Sequence, residues 1–202
     1  MLNRTSRTMH QISRAAGTTL LEVLVTIVIL ASGLLGLAAL QVVLMTSEAE
    51  AYQRAQAILL VNDMVERITT NRIAAASYVS TTVRGTGDTT LPAQCAVSPA
   101  TQLSTDLCDW GRALQGAAEK KTVGGVTTQV GGLGSGRGCI ELVQAEDTTA
   151  GVCKPAIYRV TVAWQGSNKT TEPTVTCGAG LYGGTGFRRA ISTQVSIGLP
   201  SC

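Results

Sequence analysis

Aromatic side chains are scarce: they make up 3% of the 202 residues, and Phe187 is the lone phenylalanine. Proteins that stack bases need aromatic platforms, so that class of nucleic-acid binder is poorly served. Histidine occurs once, at His10. Charged residues are only 14%, against about a quarter in ordinary soluble domains. No proline precedes Pro92, so no proline kink interrupts a helix before that point. What the chain does have is a 45% apolar content, 22 glycines and six cysteines.

The net charge of +3 misleads. Arg4, Arg7 and Arg14 lie in the first 17 residues, which contain no acid; without that stretch thirteen basic residues face thirteen acidic ones. His10 lies there too. If the N-terminus is a leader, the remainder has no histidine. Histidine-based acid–base chemistry, histidine metal sites and histidine-assisted triads are then excluded.

Val23 to Ser47 is a run of 25 residues without a charged side chain, densest in VLVTIVILASGLLGLAAL from Val23 to Leu40. A helix of about 20 such residues crosses a bilayer. The basic segment ahead of it keeps the N-terminus cytoplasmic and sends the rest outward. A secretory signal shares the basic start but needs a small-residue cleavage site after its apolar core. Ala31-Ser32-Gly33 does not serve, because the apolar run continues past it. Glu22, at the edge of the run, is a poor membrane resident unless it is paired or interfacial.

The residues from Gly17 to Val25, GTTLLEVLV, resemble the class III signal of type IV pilins and pseudopilins: a basic leader ending in glycine, glutamate at the fifth position after it, then an apolar helix. The resemblance implies cleavage between Gly17 and Thr18 by prepilin peptidase, N-methylation of Thr18, and retention of the helix. Thr18 departs from the family's usual phenylalanine. In a fibre the Glu22 carboxylate would pair with the Thr18 amine of a neighbouring subunit, making it the assembly contact that sets axial register. TLLEVLVTIVILASGLLGLAALQ (Thr19 to Gln41) further resembles the PilV group of minor pilins. Asp106-Leu107-Cys108-Asp109-Trp110 and Tyr158 to Trp164 are similar to that group's head-domain landmarks.

Four segments follow. Residues 1–17 read as the leader, 18–47 as an apolar transmembrane or fibre-core helix, and 48–77 as its amphipathic second half. Residues 78–202 read as a globular head. Ile58, Val61, Met64, Val65 and Ile68 recur at helical spacing and predict the buried stripe. Gly33 and Gly36 suit close helix packing. Residues 77–138 read as irregular, with a short helix over Leu103–Gln115 carrying Leu107, Trp110 and Leu114 inward. Cys139–Val143, Ile157–Trp164 and Ala190–Ile197 read as strands, with Val123–Val130 a weaker candidate. Period-2 alternation predicts a half-buried antiparallel sheet, with Arg159 and Thr161 facing away from the core. The fold class is therefore α+β and pilin-like: a long N-terminal helix on a small antiparallel sheet, stapled by disulfides.

All six cysteines, Cys95, Cys108, Cys139, Cys153, Cys177 and Cys202, lie in the proposed head. An even count confined to an exported segment predicts disulfides. Neither CxxC spacing nor a histidine supports a metal site. Pairing of neighbours gives Cys95–Cys108, Cys139–Cys153 and Cys177–Cys202. The glycine-rich Gly131–Gly138 contains GxGxG without the strand–turn–helix context of a phosphate cradle. Asp106 and Asp109 are a candidate carboxylate pair, but a helix cap and a solvated face account for them more simply. Lys120, Lys121, Arg188 and Arg189 are too few for a nucleic-acid stripe.

The expected function is that of a minor pilin, not an enzyme, with no cofactor. The resemblance implies prepilin peptidase, the major pilin and other minor pilins as partners, with a PilY-type tip adhesin near the fibre end. It implies residence in the bacterial inner membrane with a periplasmic head, then in a surface pilus serving adhesion and twitching motility. A minor pseudopilin of a type II secretion system would share the same signal and helix.

Overall fold

The computed structural model describes residues 17, 19–92, 94–95, 101–117, 120–129 and 131–198. Residues 1–16, Thr18 and Cys202 lie outside these. The chain divides into two compact units, Met1–Met45 and Thr46–Cys202. Helix α1 (Leu20–Thr70) contributes to both.

In the first unit every side chain of α1 from Leu20 to Met45 is exposed. A helix that is apolar all round has no preferred inward face of its own, and it requires an apolar surrounding. Its hydropathy and length are those of a membrane-crossing helix. Thr26 and Ser32 turn their hydroxyls back onto the carbonyls of Val23 and Ile29, at 2.8 and 2.9 Å. The two polar side chains thus carry their own partners into an apolar environment.

In the second unit Ala57, Val61, Met64 and Ile68 of α1 are buried. Their spacing of four, three and four residues makes a single helical stripe. Ile58, expected in that stripe, is 39% exposed; Ala57 takes its place because the face is rotated by one residue. The helix ends at Thr70, and a 3-10 turn (Arg72–Tyr78) follows, where the sequence predicted continued α-helix to about Ala76. Asn71 leaves the helical region, with φ −104° and ψ 48°, and so breaks the α ladder. The turn delivers Tyr78 into the core, fully buried.

The other elements are β1 (Ser80–Gly85), α2 (Gln102–Leu114), β2 (Lys120–Val123), β3 (Val126–Gln129), β4 (Arg137–Gln144), β5 (Ala156–Gln165) and β6 (Arg188–Ile197). Strands β1, β4, β5 and β6 form an antiparallel sheet in the order β1-β4-β5-β6. Strand β1 lies in the stretch expected to be irregular. Strands β2 and β3 form a separate hairpin around Gly124-Gly125, both at positive φ, as a two-residue hairpin loop demands.

Tyr158, Val160, Val162 and Trp164 of β5 join the α1 stripe, Trp110 and Leu114 in one core. The opposite face is not solvated. Thr161, expected outside, is fully buried, as is Ala163. A second cluster of Cys139, Ala163, Cys177 and Tyr182 covers that side. The loop between β5 and β6 therefore closes the sheet's second face, and the sheet is buried on both sides at its centre. The α+β architecture of a long helix on a small antiparallel sheet stands.

Candidate assembly site and the ties of the head

Helix α1 starts with a built cap. The Thr19 carbonyl accepts the Val23 N–H at 3.3 Å, and its hydroxyl accepts the Glu22 N–H at 3.3 Å. Thr19 is thus the residue that opens the helix, and Glu22 sits in its first turn. A carboxylate there interacts favourably with the N-terminal end of the helix dipole. Thr19-Leu20-Leu21-Glu22 has the spacing of a capping box, a signal that reading Glu22 for register alone passes over. Gly17 is exposed and lies outside the helix. Thr18, assigned to cleavage and methylation, lies outside the described residues. After Glu22 the next charged residue is Glu48.

In the second unit the strongest polar cluster centres on Asp106, which is 2% exposed. Its carboxylate accepts from Arg67 Nη1 at 3.0 Å, Gln102 Nε2 at 2.9 Å and the Tyr78 hydroxyl at 2.5 Å. Arg67 also donates Nε to both oxygens of Asp63, each at 3.0 Å, and Asn71 donates to the Tyr78 oxygen at 3.0 Å. One buried carboxylate therefore ties α1, the 3-10 turn and α2 together. Burial, reinforced by the Asp106 hydrogen bond, pushes the Tyr78 phenol up to about 12. Burial opposes the Arg67 charge, but Asp63 and Asp106 outweigh it and raise its pKa.

Asp106 is thus neither a cap nor a solvated side chain, as the sequence suggested. Thr101 caps α2, its hydroxyl accepting the Ser104 N–H at 3.3 Å. Asp109 is the solvated member, 46% exposed and 4.0 Å from Arg67. The two do not converge on a shared proton; Asp106 is occupied by three donors.

Two further ties hold the helix. The Trp110 indole N–H donates to the Leu60 carbonyl at 2.8 Å. Gly138 lies against the Trp110 ring and Leu114, so close that a Cβ there would overlap both. Glu50 accepts the Ser167 N–H at 3.2 Å and pairs with Arg189 at 3.6 Å.

The loop over the sheet's second face is fastened as firmly. Arg188, 4% exposed, donates to the carbonyls of Val175, Cys177 and Pro173 at 2.6, 3.0 and 2.9 Å. Arg189 donates to those of Gly186 and Asn168 at 3.0 and 2.6 Å. Both arginines thus serve the loop and offer no basic stripe. The Arg137 guanidinium lies 4.8 Å from the Tyr182 ring. The glycine-rich segment before β4 is structural as well: Gly134 and Gly136 accept backbone N–H groups of Gln165 and Thr86, and Leu133 is buried.

Cys95–Cys108 forms as the sequence predicted. The other pairings are corrected: Cys139 bonds Cys177 across 38 residues, which overturns both Cys139–Cys153 and Cys177–Cys202. Cys139 is paired with Thr161 in the β4–β5 register, on the face the loop covers, so its side chain meets the loop cysteine. Cys153 is also disulfide-bonded.

Residues 39–110 match a family model described as Tt1218-like, Type IV pilin Tt1218. No curated protein and no solved structure matches the chain. The matched stretch is roughly a third of the chain, yet it runs from the apolar half of α1 to Trp110 and includes Arg67, Tyr78 and Asp106. The match, the apolar N-terminal helix and the disulfide-bonded α+β head are all consistent with a type IV pilin-type protein.

Proposed function

We infer that the protein is a minor pilin, similar to the PilV group. It is cleaved between Gly17 and Thr18 by prepilin peptidase, methylated at Thr18, and primes type IV pilus assembly with other minor pilins near the fibre tip. The observation that carries this reading is Glu22, the one carboxylate in a stretch, Leu20 to Met45, whose side chains are all exposed. Such a surface is unstable in water and comfortable in a bilayer or a bundle of like helices. In a bundle a buried carboxylate needs a cationic partner, which the new amine of Thr18 on a neighbouring subunit supplies. Before assembly the helix anchors the chain in the inner membrane, with the disulfide-bonded head in the oxidising periplasm.

The test is surface pilus abundance in a strain lacking the gene, against the complemented strain. Loss of pili with type II secretion intact supports the reading. Normal pili with failed export of secretion substrates would instead place the chain in a pseudopilus.

A further inference from the structure

We propose that the free edge of β6 accepts one extended strand from the head of a different pilin-type chain, joined to it by a ladder of backbone hydrogen bonds. The inference rests on the assembly reading above and deepens it. Strand β6 closes one side of the sheet, ten residues in unbroken register with β5. One step beyond that ladder, in the same register, the Gly166 N–H donates to the Phe187 carbonyl at 2.7 Å. Opposed residues of an antiparallel pair alternate between bonded and non-bonded. Ile191, Thr193 and Val195 therefore turn their backbone groups to β5, and Ser192, Gln194 and Ser196 turn theirs outward. These last three are exposed, and among the described residues nothing bonds their outward N–H and C=O groups.

Edges are ordinarily blunted by bulges, proline, charge or cover. The opposite edge is closed in this way. The β1 register slips between Ser80 and Arg84, and the Gly85 carbonyl accepts both the Asp88 N–H and Gln115 Nε2, each at 3.0 Å. From Ala190 to Ile197, β6 has no proline, no charge and no slip.

The same geometry selects the occupant. Glu50 of α1 pairs with Arg189 at the start of β6, and Thr69 lines a small cavity with Ser196 and Ile197 at its end. Helix α1 and β6 therefore run the same way. Antiparallel pairing with β6 of a second copy would point the two α1 segments in opposite directions. Their Glu50 ends, each leading to an apolar half, would lie about 28 Å apart along the joint sheet, an arrangement that one membrane does not accommodate. The β1 edge of a second copy is closed. The occupant is therefore a head of different sequence whose helix runs parallel to α1 and whose first-strand edge is open, β1 being the edge strand that runs against β6 in this topology. With one edge open and one closed, the contact does not propagate into a row of identical chains.

The experiment places photocrosslinking benzoylphenylalanine at Ser192 or Gln194 of the full-length chain in its native membranes, with exposed Thr81 of β1 as the control, and maps adducts by mass spectrometry. Ser192 and Gln194 are expected to capture a strand peptide of another pilin-type chain, and Thr81 none. Gln194→Pro removes an N–H that β5 does not use and should cut the Ser192 adduct at least tenfold at an unchanged urea midpoint, whereas Gln194→Ala should keep it. The parent's adducts decide the matter even where Gln194→Pro does not fold. Adducts between two copies of this chain, the same adduct from Thr81, or no adduct in a strain whose pili require the gene overturn the inference and leave the assembly reading intact. Normal pili without the gene defeat the assembly reading, and the inference with it.

Discussion

Replacing Asp106 with alanine tests whether one buried carboxylate holds the head helices together. Three donors converge on it: Arg67, Gln102 and Tyr78. They do not lose equally. Arg67 is 28% exposed and keeps Asp63, so it rehydrates and re-pairs. Gln102 lies at the start of α2, where water is within reach. Tyr78 is fully buried and retains only the N–H of Asn71, leaving its own proton without an acceptor. An orphaned buried donor costs about 1–3 kcal/mol, and a lost hydrogen bond to a charge about 1.5–3 kcal/mol. With Arg67 discounted, the expected loss for Asp106→Ala is about 3 kcal/mol. Asp106→Asn keeps one acceptor oxygen and should lose roughly half as much.

Urea unfolding of the full chain in detergent reads this out, because Trp110 and Trp164 are buried in the core that the knot closes. The midpoint should fall with the slope unchanged. Adding Tyr78→Phe closes a double-mutant cycle, and the pair should couple by about 1–2 kcal/mol. A loss below about 1 kcal/mol for Asp106→Ala, or strict additivity with Tyr78→Phe, would refute the knot.

Tyr78 also sets an alkaline limit. Its pKa is raised in the folded state to about 12, so its contribution is complete below the unfolded value near 10 and is lost as pH climbs toward 12. Parent stability should drop by an amount on the order of 2 kcal/mol more than that of Tyr78→Phe between pH 9 and 12, as measured by urea midpoints. Gly138→Ala should cost about 1–3 kcal/mol, because the new methyl meets the Trp110 ring and Leu114; a thermal midpoint equal to the parent's would contradict that packing. Non-reducing peptide mapping should recover Cys95–Cys108 and Cys139–Cys177, with no free thiol at Cys153. Removing the 38-residue link with a Cys139→Ser, Cys177→Ser double variant should cost about 4 kcal/mol by loop entropy. Glu22→Ala should keep leader cleavage and lose incorporation into pili, scored by immunoblot of sheared fibres; unchanged incorporation would dismiss the pairing with Thr18.

Elements with internal periodicity were legible in the sequence, and elements defined by distant partners were not. The α1 stripe, α2, β5 and β6 each repeat apolar residues at a helical or strand period, and β4 carries a short apolar run. Strand β1, STTVRG, is polar enough to pass for a loop; it is a strand because it pairs with β4 and packs beneath α2. Asp106 looked like a cap because aspartate favours caps, and its true partners, Arg67 and Tyr78, lie 39 and 28 residues away. Neighbour pairing of cysteines was a weak guide for a similar reason. Closing 38 residues in place of 14 costs only about 0.9 kcal/mol more, since loop entropy grows with the logarithm of length. Which face of β4 Cys139 occupies easily outweighs that. Glu22 stands out in the sequence through its isolation at the edge of an apolar run; the Thr19 cap does not, because it lies in a hydrogen bond to a backbone N–H.

The placement of the ties along α1 bears on assembly. From Glu50 to Arg67 the helix is held by an ion pair, a buried stripe, the Trp110 bond to a backbone carbonyl, and the Asp106 knot. These ties differ in chemistry: Trp110 and the stripe resist loss of apolar burial, whereas Glu50 and Asp106 resist loss of charge pairing. Helix stability in proteins comes mainly from tertiary packing of one face, and this stretch has that packing. The stretch from Leu20 to Met45 has none of its own within the described residues, since every side chain there is exposed. Its helical order must come from a surrounding that supplies apolar contact and denies water to the backbone, which a bilayer does and a bundle of like helices also does. Moving from one to the other exchanges lipid contacts for subunit contacts of nearly equal apolar character. On the proposed function, the net preference for the bundle would fall to close packing at small residues such as Gly33 and Gly36 and to the Glu22 carboxylate, which would be uncompensated in lipid and paired in the fibre. On that reading, one charge in an otherwise neutral surface would give the exchange its direction.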